Sequence, residues 1–434
     1  MRKIFYILFP LLSFGFLNKD FLYCQKQKPA IAKKGAVKSA KKSAPSKKEA
    51  KGAKKSEKAV SVAGLSDSDI AKVQGDNAEK KKERWELLCK ANGQLSEKDL
   101  TDDELELLLS KKMLDGQKSV DVSKNPKITL ASAALKNFKA KKFESLDLSE
   151  TGITGVAGIV FPDGLKRLLL GNNKGLKSIE GFGVIKGLKV FDLRGIVFDK
   201  DKDTSLALLE KNTPALEELV LKGVNVTTVG LKALPVTLRA INIRGGAFLT
   251  ELPDMSKLTK LEKLSLSGTK IKVINFNTLP KGLKVLWLAQ TPLEIIRGEF
   301  PSTLEELFLS ETSFTTMPTL PLSLRILDMS GTNEKLKPEC PDMSKCKNLK
   351  RVWMTGSPIQ NITKDKWPPD ADIFDIRMTP DGTKMLVDEV VTLMYSGTHP
   401  EKVEKALGKK LAKKLSKQVK KKGAKGAKGS AKKK

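Results

Sequence analysis

The segments FESLDLSETGI (143–153), LEKLSLSGTKI (261–271), LKVLWLAQTPL (283–293) and LEELFLSETSF (304–314) are copies of one template, LxxLxLxxTxL. Further copies begin at Leu165, Leu188, Leu216, Leu238, Leu324 and Leu349. Degenerate copies begin at Gln117 (Val120, Val122, Asn125) and Ala371 (Phe374, Ile376, Thr379). Twelve units recurring about every 23 residues constrain the fold more than any other feature, because a unit that short cannot bury its own apolar face. In LxxLxL the second and third apolar residues are two apart, so a short strand points both to one side. The first apolar residue reaches the same core as the chain enters the strand. Stacking then pairs the strands in parallel, and residues 117–380 are predicted to form a solenoid. Six units carry proline three residues before the first apolar position: Pro162, Pro235, Pro280, Pro301, Pro321 and Pro368. Proline has no amide donor and a fixed φ, which suits an extended return path better than a helix.

This template resembles the leucine-rich repeat family, specifically its short, bacterial-type members with repeats of about 20–23 residues, over about three-fifths of the chain. The resemblance implies an α/β horseshoe: a curved parallel sheet, a slim convex side, and residues between the core leucines facing the concave surface. The family usually places Asn at the turn after the strand, where its amide ties the loop backbone together. Here Thr151, Thr269, Thr291, Thr312, Thr332 and Thr379 stand there, with Ser357 and Asn173 in other units. Threonine hydroxyls are expected to make a thinner ladder, interrupted at Ile196, Val224 and Gly246.

Outside the repeats the chain divides by composition. Residues 61–116 are predicted to be a helical N-terminal cap, with Asn77 capping a helix through Trp85, Leu87 and Leu88. Thr101–Glu104 has capping-box spacing ahead of a second helix ending near Gly116. Residues 381–399 are predicted to cap the other end. Arg2 and Lys3 precede an apolar stretch from Ile4 to Leu17, so residues 1–24 have the layout of a signal peptide; a retained anchor or an organelle presequence is the alternative. The net charge of +30 lies almost wholly in two tails. Residues 25–60 hold 13 Lys against two Glu and are too poor in apolar residues to fold. Residues 402–434 hold 15 Lys against one Glu. Within 400–434, Val403, Leu407, Leu411, Leu415 and Val419 recur every four residues, a narrow apolar stripe on a cationic helix.

One histidine (His399) excludes His-based triads elsewhere and multi-His metal sites, and no cofactor motif is present. Cys340 and Cys346 replace Leu252 and Leu258 of an aligned segment, so they are expected to be buried thiols, with an intraloop disulfide as the alternative. Asn225-Val-Thr and Asn361-Ile-Thr are glycosylation sequons that matter only in a eukaryotic secretory route.

If the horseshoe holds, the central concave row runs Asp147, Leu169, Asp192, Val220, Asn242, Ser265, Trp287, Phe308, Asp328, Trp353, Asp375. Trp287, Phe308 and Trp353, with Asp328 between them and Val285 and Ile326 beside them, are the candidate ligand-binding patch. Cross-strand packing without a ligand is the alternative. Arg194, Lys222 and Arg244 form a second candidate row, either meeting an anion or pairing with Asp192, Glu217 and Glu218. The reading is a secreted or cell-surface, non-enzymatic protein that binds a protein or glycan on its concave face. Its Lys-rich tails would hold an anionic surface such as acidic polysaccharide, lipid headgroups of a membrane surface, or nucleic acid. The rival is an intracellular, nucleus- or nucleoid-associated protein with histone-like tails.

Overall fold

The computed structural model describes residues 65–375, apart from Ala134 and residues 332–338. The expected signal peptide, both Lys-rich tails, the C-terminal cap, Thr332 and Thr379 lie outside the described residues.

Twelve three-residue strands, from Ser119–Asp121 to Ile373–Asp375, form one sheet. Each pairs in parallel with the strand of the next repeat, without a register shift from Asp121↔Asp147 through to Trp353↔Asp375. The middle residue of each strand points into the core, as Leu146, Leu168, Phe191, Leu219, Leu286 and Leu327 do, and so does the residue just after the strand, as in Leu148, Leu221 and Leu288. Burying one such side chain contributes about 1.5–3 kcal/mol, and it is buried only because the neighbouring coil covers it. The chain folds as a parallel β-solenoid with little helix.

The turn leaving each strand is the same in every described coil. The third residue after the central row has positive φ: Lys124, Glu150, Asn172, Gly195, Gly223, Gly245, Gly268, Gln290, Glu311, Gly331 and Gly356. A left-handed residue there swings the chain off the sheet, and glycine takes it without strain. Where the central residue is Asp or Asn, its side chain accepts from the amide two residues on, as in Ser149 N to Asp147 Oδ1 at 2.9 Å and Arg244 N to Asn242 Oδ1 at 3.1 Å.

The buried turn positions split by residue type. Asn173 Nδ2 donates to the carbonyls of Leu148 and Leu170, and its Oδ1 accepts from Thr151, so one amide ties two coils. Asn125 does the same toward Leu95, Val122 and Leu100. Thr269, Thr291 and Thr312 donate to the carbonyl three residues back within their own coil. A hydroxyl has one proton and a shorter reach than a carboxamide, so threonine seals a turn where asparagine links two. Ile196 and Val224 fill the same position with buried side chains, and Gly246 has none to offer.

Five of the six prolines of the return path are the first residue of a turn. Leu165, Leu238, Leu283, Leu304 and Leu324 donate their amides to the carbonyls of Pro162, Pro235, Pro280, Pro301 and Pro321, at 3.0–3.2 Å. Thr213 and Leu258 open the same turn in other units, so proline fits the geometry without being required. The convex side is mostly extended, with a small parallel pair (Val273–Asn275 with Ile295–Arg297) that the template did not foretell. Its only α-helix among the described residues, Leu208–Asn212, belongs to the longest repeat.

Three helices precede the first repeat: α1 (Asp67–Lys72), α2 (Ala78–Lys90) and α3 (Asp102–Ser110). Asn77 Oδ1 accepts from Lys80 N at 2.9 Å to start α2. Thr101 and Glu104 exchange hydrogen bonds to start α3. Trp85 and Leu88 are buried, but Leu87 points outward, and α3 stops at Ser110 with a turn reaching Gly116. Glu104 is fully buried and takes Arg84 Nε at 2.5 Å, Arg84 Nη2 at 2.7 Å and Gln74 Nε2 at 3.0 Å. The cap also covers one end of the sheet edge: Leu95 N donates to Asp121 O and Asp121 N to Gly93 O, so the first strand is paired on its outer side at Asp121.

Candidate interaction face

The sheet has one face on the core and one open face, and period-2 alternation dictates which side chains reach the latter. The central row, extended to Asp121, runs in unbroken register to Asp375. Trp287, Phe308, Asp328 and Trp353 stand on four consecutive strands. The Trp287 and Phe308 rings stack, with centroids 5.8 Å apart and planes within 10°. All four residues are half-buried rather than fully exposed, as is Ile326. Val285 is a correction to the expected exposed flank: it is 8% exposed, because larger side chains on both neighbouring strands close over it. The stack is thus real cross-strand packing, and it also leaves aromatic surface on the open side.

Two residues before the central row a second pattern appears. Arg167, Glu218, Lys263, Glu306 and Arg351 occur on alternate strands, with Val190, Ala240, Val285 and Ile326 between them. Their signs alternate. Burial raises the carboxyl pKa of Glu218 and of Glu306, and flanking cations (Arg167 and Lys263 for one, Arg325, Lys263 and Arg351 for the other) pull it partly back. Residues next to these, just after the first apolar position, are charged in all twelve units and form a ladder along the sheet margin. Lys166–Glu144 (2.8 Å), Lys189–Glu217 (2.8 Å), Lys284–Glu262 (3.1 Å) and Arg325–Glu305 (3.4 Å) are its rungs. That regularity is readable in the sequence, but the apolar template draws attention away from it.

The candidate cation row divides. Arg194 folds back on Asp192, whose carboxylate is fully buried, with Nε to Oδ2 at 2.7 Å and a second, shorter contact from Nη2. Of the expected acidic partners, Glu217 binds Lys189 instead. Lys222 is exposed and Arg244 half-buried on the next two coils.

Burial also raises the pKa of Asp147 and Asp328 on this face. Asp328 Oδ1 accepts from Ser330 N at 3.0 Å and Ser330 Oγ at 2.6 Å. Asn225 is less available than its sequon implies: Nδ2 donates to Phe198 O (2.8 Å) and Oδ1 accepts from Phe198 N (2.7 Å), tying two coils. Asn361 is exposed and its amide rests on Glu339. Cys340 and Cys346 are buried thiols and Cys89 a half-buried one, none of them in a disulfide; burial raises the thiol pKa of Cys346 and Cys89. Among the described residues no group of His, Cys, Asp and Glu is arranged to hold a metal, and no helix is long and apolar enough to cross a membrane.

No protein-family model matches the chain. It is 30% identical over 151 residues, 35% of its length, to the disease resistance protein RRS1 of Arabidopsis thaliana, and it spans 9% of that relative. Among solved structures it is similar to an internalin (InlF) of Listeria monocytogenes at 16% identity, covering 70% of this chain and 92% of that one with a TM-score of 0.42. It is also similar to YopM of Yersinia enterocolitica at 15% identity, covering 69% and 72% of the two chains with a TM-score of 0.38. The twelvefold template and the in-register parallel sheet that it builds give this chain the repeat pattern and the β-solenoid fold that leucine-rich repeat proteins share.

Proposed function

We propose that this is a non-enzymatic, exported recognition protein whose open sheet face binds a protein ligand. The observation that carries the reading is the run Trp287–Phe308–Asp328–Trp353, three aromatics and an acid on consecutive strands of the solvent-facing side. Half-buried aromatics on a rigid sheet lose little entropy on binding and offer large contact area, which is the profile of an interface centre. The alternating charges beside them suit a polar rim. Relatives of this fold differ in function because the outward residues differ, so the patch argues for binding and the fold alone does not name a partner.

The Lys-rich tails are proposed to hold the protein on an anionic surface, screened by salt. The apolar N-terminal segment favours export over the nucleic-acid-associated alternative, which the tails alone would support. Partner capture on cells followed by cross-linking tests the face: Trp287→Ala with Trp353→Ala should abolish capture while deletion of both tails leaves it. Capture that follows the tails and ignores the aromatics would overturn the assignment. Sequencing of the mature N-terminus tests export.

A further inference from the structure

We infer that the open face holds a slot for one arginine side chain of a protein partner, walled by Phe308 and Trp353 with Asp328 and Thr355 as its floor. The inference rests on the reading of this face as a protein-binding surface.

Register places Phe308, Asp328 and Trp353 on three successive strands, so the two aromatic columns lie about 10 Å apart with the carboxylate between them. Phe308 gives one ring face to Trp287 in a nearly parallel stack, which turns its second face toward the Asp328 column. A planar cation between two aromatic faces gains from both rings.

The floor lacks a countercharge. Ser330 N and Oγ donate to Asp328 Oδ1 and the Ser310 side chain is a further hydrogen-bond partner of the carboxylate, so its contacts are all with neutral groups. No ion pair to Asp328 occurs among the described residues. Arg351, the cation two residues before Trp353, acts on Glu306. Burial drives the Asp328 pKa up, as expected of a carboxylate without a countercharge. Independently, Thr355 Oγ1, two residues beyond Trp353, is buried and has no hydrogen-bond partner. Buried hydroxyls are nearly always satisfied, so an orphan beside an unneutralised carboxylate calls for a donor from outside. A guanidinium is all donor, planar and permanently charged. It matches aromatic walls and an acceptor floor better than an ammonium, whose compact charge is more strongly hydrated.

The test is selection of a displayed random peptide library on the full chain, with affinities of selected peptides read by Trp fluorescence. Peptides carrying an essential arginine are expected, and replacing it by citrulline should weaken binding about tenfold or more. Asp328→Asn keeps the acceptor for Ser330 and should cost about tenfold. Thr355→Val should lower affinity severalfold while leaving Tm unchanged or higher, an effect that a merely structural hydroxyl would not give. Selected peptides that depend on Trp287 or Trp353 but not on arginine or Asp328 would overturn the slot and leave the binding face standing. Lysine-bearing peptides insensitive to citrulline-type replacement, or self-association of the chain lost in Asp328→Asn, would overturn the assigned occupant. Binding indifferent to every open-face substitution would overturn both readings.

Discussion

The two halves of the sheet share one core and part company on the open face. From Asp121 to Asn242 the face is charged and largely closed on itself: Arg194 lies on buried Asp192, and Glu218 sits among Arg167, Lys263 and Arg194. From Trp287 to Trp353 it presents stacked rings beside an acid that has no ion pair among the described residues. Inward positions cannot diverge this way, because each must cover the next coil. The difference therefore collects where the coil geometry imposes nothing, and it separates charges that hold the protein together from the side chains proposed to meet a partner.

Core substitutions should erase the contrast. Leu219→Ala and Leu286→Ala, one from each half, should each cost about 2–5 kcal/mol in denaturant unfolding. Clearly unequal costs would mean that the halves differ inside as well as outside. Arg194→Ala strands a buried carboxylate and should cost about 3 kcal/mol, whereas exposed Lys222→Ala should stay within about 0.5 kcal/mol. Equal small effects would break the claim that the N-terminal face is self-satisfied. At the shared turn position, Gly245→Ala forces a Cβ into the left-handed region and should cost about 1–2 kcal/mol. Gln290→Gly, the matching site in the other half, should be neutral or stabilise by up to about 1 kcal/mol, since relief of φ strain offsets the gain in unfolded-state entropy.

The smallest effects are pH-dependent. Folding raises the pKa of Glu218 and Glu306, so their ionisation above the usual carboxylate range works against the folded state, and the penalty disappears as pH falls. Glu218→Gln and Glu306→Gln should each raise Tm at pH 7 by about a degree or two and lose that advantage near pH 4. Glu104 has the opposite sign. Burial alone would raise its pKa, but hydrogen bonds from Arg84 and Gln74 outweigh it and hold the carboxyl below its usual range. Its contribution is complete at neutral pH and is lost as pH falls through the folded-state pKa, so the N-terminal cap should loosen first in acid, seen as early loss of Trp85 emission.

Much of the coil was legible before any coordinates. LxxLxL spacing placed Trp287, Phe308 and Trp353 in one row, because alternation is a backbone property and equal spacing keeps the strands in register. Asn77 and Thr101 announced their helices for a similarly local reason: a cap needs only its own next three residues. Arg194 was different. Its type and position were visible, but whether it met Asp192 or a ligand depended on side-chain direction. The burial of Val285 depended on the size of residues about 20 positions away, and the inward bonding of Asn225 on a backbone 27 positions earlier.

Residue type and interval were sufficient to determine the solenoid, its polarity and which side chains leave the core. Only the stacked structure decided which of those outward groups are already consumed, since every consumer belongs to a neighbouring coil that sequence distance conceals. Phe308, Asp328 and Trp353 come together only there, because the strands that carry them are neighbours in the sheet and distant in sequence.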